Sequence, residues 1–183
     1  IIYFLITLGK SINHNMLDKK NLLIILFILL GVFTRVIPHP PNFTALGAIA
    51  LFGGAFFSNK YFSFSIPILI MFLSDLILGY QMVLSVYISF IIIVFLGFLL
   101  QKKQTGLQII SVSILASIIF FIITNLSVFL TSSLYSKDII GLIECYTLAI
   151  PFFTNTLASN IIYSLIMFFS FKTIQNQILV KLQ

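Results

Sequence analysis

The chain has 183 residues, 60% hydrophobic and only 8% charged, with a net charge of +6. A soluble domain clothes its surface with about 25% charged residues, so this composition excludes a water-soluble fold and predicts an all-α, polytopic membrane protein. The single cysteine, Cys145, excludes an internal disulfide framework and a thiolate metal cluster. Excess lysine in such a chain records orientation across the bilayer, and nucleic acid is not an expected partner.

Residues 1–8 are apolar but too short to cross about 30 Å of hydrocarbon. No small-residue cleavage site follows a long apolar core, so they do not read as a secretory signal. Met16, with Asp18, Lys19 and Lys20 behind it, has the look of a start just ahead of a span. Residues 1–15 are therefore read as an N-terminal extension, and 16–183 as a single six-helix transmembrane domain.

Six apolar segments follow, at 21–37, 44–57, 61–80, 83–100, 107–130 and 152–171. At 1.5 Å rise per residue most reach across a bilayer. The second is short and studded with small residues, among them Ala45, Gly47, Ala50, Gly53 and Gly54, which predicts an inner, tightly packed helix. Residues 139–150 read as a short interfacial helix carrying Glu144 and Cys145, and Pro151 opens the last span where its missing N–H costs little.

With both termini in the cytoplasm, Lys10, Lys19, Lys20, Lys60, Lys102, Lys103, Lys172 and Lys181 all fall inside and only Lys137 lies in an outer loop. That satisfies the positive-inside rule and predicts a multi-pass protein of the bacterial inner membrane. Polar groups then collect near the outer face: Arg35, His39, Asn42, Asp75, Tyr87, Asn125 and Asn155, with Ser159, Asn160 and Glu144 close by. The inner halves are almost purely apolar. A proton or ion pathway leaves ionisable groups through the whole thickness, whereas convergence at one depth is what an outward-facing pocket requires.

Each of these groups has a plainer reading. Asp75 and Arg35 form a helix-fastening pair, His39 is a solvated loop side chain or a ligand, the asparagines are interhelical glue and Cys145 is a small buried hydrophobe. No paired acids, His-x-x-x-His spacing, Gly-x-Ser-x-Gly elbow or phosphate loop occurs, so no catalytic residue, metal site or cofactor is assigned and the chain is not expected to be an enzyme.

The run Arg35-Val-Ile-Pro38-His39-Pro40-Pro41-Asn42-Phe43-Thr44, followed by Ala50-Leu51-Phe52-Gly53-Gly54, resembles a bacterial membrane family, domain of unknown function 6580. Ser74-Asp75-Leu76, Val86-Tyr87, Thr124-Asn125, Cys145-Tyr146, Pro151-Phe152-Phe153 and Asn155-Thr156 agree in order, so that the resemblance covers about 35–163. Phe129 stands where that family tends to have Trp, and Asn160 where it tends to have Asp.

The family is in turn similar, in size and span count, to the S components of energy-coupling-factor transporters. That resemblance implies capture of a small nutrient (a vitamin, corrinoid or metal ion) in an outer pocket lined by Arg35, His39, Asn42, Asp75, Tyr87, Asn125 and Asn155. It further implies a transmembrane coupling subunit and ATPases as partners, docked on Ala50, Gly53 and Gly54. Against the solitary cobalamin component, Met82 falls where a ligating Cys is expected, which implies loss of that thiolate. The alternative left open is a membrane-embedded accessory or assembly protein with no small-molecule ligand.

Overall fold

The computed structural model describes residues 26–180, with side chains described through 175. The predicted extension 1–15 and residues 21–25 of the first predicted span lie outside the described residues. Within them the protein is all helical, without a strand. The elements are α1 (Leu26–Val36), α2 (Leu46–Phe56), α3 (Lys60–Leu78), α4 (Leu84–Gly97) continued by a 3-10 turn (Phe98–Leu100), α5 (Gly106–Thr131), α6 (Ile139–Leu148) and α7 (Ile150–Val180).

Among the described residues three helices are long and apolar enough to cross a membrane: Lys60–Leu78, Gly106–Thr131 and Ile150–Gln175. The other apolar helices are shorter. At 1.5 Å per residue the 11 residues of α2 extend roughly 16 Å, about half a hydrocarbon core.

Local chemistry sets the helix ends. Asn59 accepts from the Tyr61 amide ahead of α3, and Gly79 ends it at φ 69° in the left-handed region, where glycine carries no Cβ penalty. Thr105 and Gln108 form a reciprocal capping box on α5. Asp138 caps α6 by accepting from the Gly141 amide at 2.8 Å and from the Ser136 hydroxyl at 2.8 Å.

α2 is the axis of the bundle. Every residue from Leu46 to Gly54 is buried, and the helix packs on α3, α4, α5 and α7. Its small residues let backbones touch: a Cβ on Gly54 would stand 2.2 Å from the Val94 carbonyl oxygen, and one on Gly97 2.4 Å from that of Leu51. α1 joins through Gly31, seated against Ile70 and Ile49, and through the Phe27 ring, edge-on to Phe52 at 4.8 Å. The end of the bundle away from the α1–α2 loop is closed by aromatic packing, with Phe52 ringed by Phe27, Phe56, Phe168 and Phe171.

Ala50, Gly53 and Gly54, expected as a docking surface for a coupling subunit, are therefore interior. Gly54 meets α4, the Gly53 carbonyl accepts from Ser63 Oγ at 2.8 Å, and Gln101 Nε2 reaches the Gly54 carbonyl at 3.0 Å. A small-residue face serves a partner only while exposed; here the chain's own helices fill it.

Candidate functional site

The α1–α2 loop carries the densest local constraint. The Phe43 amide donates to the Pro40 carbonyl at 2.9 Å, and Asn42 has φ 64°. Pro41 followed by a left-handed Asn is type II turn chemistry, proline presetting the first corner and asparagine tolerating the second. His39 sits inside this loop with Nδ1 2.8 Å from the Pro40 carbonyl and Nε2 3.2 Å from the Arg35 carbonyl at the end of α1. Both neighbours are acceptors and a neutral imidazole carries one N–H, so the ring donates to one of the two carbonyls and rests against the other. A metal or corrinoid bond from His39 requires giving up one of these contacts.

Two residues of α7 hold the loop from the other side. Asn155 Nδ2 donates to the Pro41 carbonyl at 3.0 Å, and Ser159 Oγ lies 3.5 Å from that of Asn42. Thr34 Oγ1 accepts from the Ala45 amide at 3.2 Å, satisfying a free donor where α2 begins.

Beneath the loop is an open cavity of about 800 Å³. α1 contributes Arg35, α2 Leu46 and Gly47, α3 Met71 and Asp75, α4 Phe90 and Ile93, α5 Phe120, and α7 Thr156 and Asn160; His39, Asn42 and Thr44 come from the connection. The rim is exposed at Pro38, Pro41 and Gln81, and the wall descends to Leu46, Ile93 and Asn160, all at most 3% exposed.

The charges in this wall answer one another. Arg35 Nη2 donates to Asp75 Oδ1 at 2.7 Å, and the other guanidinium nitrogen rests on the Met71 sulfur. Tyr87 donates to Asp75 Oδ2 at 3.0 Å, so both carboxylate oxygens are engaged. Asp75 sits in the last turn of α3, and its backbone oxygen accepts from the Tyr80 amide, tying the ion pair to the cap at Gly79.

Of the sequence-predicted pocket residues, Arg35, His39, Asn42 and Asp75 line the cavity. Tyr87 and Asn155 do not line it: Tyr87 bonds Asp75 in the wall, and Asn155 tethers the loop through the Pro41 carbonyl. Asn125 lies outside it: its amide donates to the Phe121 carbonyl one turn back at 2.8 Å, and its own carbonyl faces Cys145 Sγ at 3.6 Å in the α5–α6 contact. That contact also contains Tyr146, whose hydroxyl donates to the Ile122 carbonyl at 2.8 Å. Burial pushes the Cys145 thiol up from its ordinary range, the state of an inert packing residue, and Glu144 is exposed. Met82 is 60% exposed and does not line the cavity.

The wall also contains residues outside the predicted pocket, among them Thr44, Thr156 and, at the closed end, Asn160. Its Nδ2 donates to Ser117 Oγ at 2.9 Å, and its Oδ1 occupies the space beside Gly47, where a Cβ would approach to 2.1 Å. Among the described residues no group of three or more His, Cys, Asp or Glu stands where it could hold a metal ion.

No curated protein and no solved structure matches the chain. Residues 15–181, nearly the whole length, match the model of a family of unknown function, DUF6580, and to that family this chain belongs.

Proposed function

We propose that this protein is the substrate-binding membrane component of a nutrient-uptake system, which captures a small molecule in an outward-facing pocket and relies on other subunits for energy. The observation that carries the reading is the cavity: at about 800 Å³ it lies within the range of small-molecule sites, and it pairs an apolar wall with a few fixed polar groups. The Phe52 cluster closes the opposite end of the bundle, which suits a cup better than a conduit.

In this reading α1, α2, α3, α4, α5 and α7 are six spans of an S-component-like bundle and α6 is an interfacial connection. α2 is sheltered from lipid by its neighbours, so its shortness leaves no backbone facing hydrocarbon. Both termini face the cytoplasm of a bacterial inner membrane, the orientation that the positive-inside rule favours for this lysine distribution. The partners are a transmembrane coupling subunit and ATPases, docked elsewhere than on Ala50, Gly53 and Gly54. The chain itself performs no chemistry.

One observation favours the second reading, an accessory protein without a ligand. Arg35, Asp75 and Tyr87 satisfy one another and fasten α1, α3 and α4 without any guest. Affinity purification from native membranes separates the two. Recovery of a coupling subunit with ATPases supports capture; one stoichiometric membrane partner with no ATPase supports the accessory role.

A further inference from the structure

We propose that the cavity selects an electrically neutral, flat heteroaromatic molecule, anchored at the closed end by the Asn160 carboxamide. The inference rests on the capture reading and narrows its ligand class. Charge comes first. Arg35 and Asp75 are the two residues of opposite fixed charge in the wall, and they are paired at 2.7 Å, with Tyr87 on the remaining carboxylate oxygen. The His39 nitrogens face the backbone carbonyls of Pro40 and Arg35. Among the described wall residues no fixed charge is thus left free for a guest of either sign, and desolvating a charge without a partner costs far more than an apolar wall returns.

The closed end supplies recognition. Asn160 is 3% exposed and lines the cavity, and its bond to Ser117 holds the carboxamide in one orientation. A carboxamide offers two N–H donors and a carbonyl acceptor. Among the described residues only one of those donors is bonded. The oxygen and the remaining N–H are the groups left to meet a guest, the pair of functions with which asparagine reads a base and which a ring amide or aminopyridine complements. Gly47 makes room for that oxygen. Phe90 and Phe120, tilted against each other with ring centroids 5.5 Å apart, also line the cavity and supply aromatic surface for a flat ring.

The test uses the detergent-purified full chain and isothermal titration with rings matched for everything but charge. The sets are nicotinamide, nicotinate and N-methylated nicotinamidium; adenosine and its monophosphate; riboflavin and its phosphate ester. The neutral member of at least one set is expected to bind about tenfold or more tightly than its charged partners, about 1.4 kcal/mol. Asn160→Leu is expected to remove that binding, and Asn160→Asp, which places an unpaired carboxylate in the wall, to shift preference to the nicotinamidium cation. Equal or tighter binding of a charged member, or neutral binding untouched by Asn160→Leu, overturns the inference and leaves the capture reading standing. So does a series with no binder when a vitamin or metal ion outside it binds. Absence of binding by every compound in both groups overturns both. Should the Asn160 variants not fold, the matched series on the unaltered chain still decides.

Discussion

Arg35 on α1 and Asp75 on α3 meet at 2.7 Å across the mouth of the cavity, with side chains only 13% and 5% exposed. Removing one partner of such a pair leaves the other charge buried and alone, which costs about 3–5 kcal/mol. Asp75→Asn is therefore expected to lower unfolding stability in detergent by about that amount. The double replacement Arg35→Met with Asp75→Leu is expected to recover most of it, since no stranded charge remains. Equal losses in the single and double variants, compared by thermal melts, would show that shape rather than charge dominates here.

The crossing of α2 and α4 depends on two missing methyl groups. Gly54→Ala and Gly97→Ala each drive a Cβ into a backbone carbonyl, at 2.2 and 2.4 Å, and the backbone cannot swing away as a side-chain tip does. Both variants are expected to melt well below the parent, by about 1–3 kcal/mol or more. Gly106→Ala is the control, because its Cβ meets only the tip of the Phe169 ring at 3.6 Å, and in the first turn of α5 it is expected to be neutral or slightly stabilising.

Asp138 makes α6 sensitive to acid. The hydrogen bonds from the Gly141 amide and the Ser136 hydroxyl favour its ionised form and lower its pKa from the ordinary 3.8. A depressed carboxylate contributes its stability in full above the ordinary value and loses it as pH falls through the lowered one. Protection factors of the amides at the start of α6, each rate being divided by the intrinsic rate at the same pH, should therefore be lower below about pH 4 than at neutrality. Asp138→Asn, which keeps an oxygen acceptor without the charge, should flatten that pH dependence; an unchanged profile would assign the sensitivity to another group.

Topology is checked by labelling intact cells with an impermeant maleimide on a Cys145→Ser background. Asn42→Cys, in the exposed loop over the cavity, is expected to label, and Lys102→Cys, in the α4–α5 connection, is not. The reverse pattern would turn the cavity to the cytoplasm and end the uptake reading.

Much of this arrangement is written in residues that are costly in an apolar chain. Arg35 and Asp75 announce themselves because a charge in a span needs a partner, and Pro40-Pro41-Asn42 because that string has one economical backbone shape. The glycines of α2 announce close packing, but whether the close neighbour is the chain itself or another subunit depends on where Gly97 falls in three dimensions. Asn125 and Asn160 are the same side chain on two long apolar helices. One bonds its own helix and the other lines a cavity, a difference made by Gly47 and Ser117 on other helices and carried by no local pattern. Helix length, by contrast, was legible: the apolar runs 44–57 and 83–100 match α2 (Leu46–Phe56) and α4 with its 3-10 turn (Leu84–Leu100) to within two residues.

The most direct measurement is a thermal-shift screen of the detergent-purified chain against vitamins, corrinoids, nucleobases and divalent metal ions, run beside Gly47→Leu, whose side chain would occupy the closed end of the cavity. A ligand at 100 times its dissociation constant adds about 2.7 kcal/mol to the folded state. Capture predicts a specific upward shift for one compound class, abolished in a folded Gly47→Leu variant. A flat screen on well-folded protein, or a shift that Gly47→Leu leaves intact, would contradict a ligand site in this cavity.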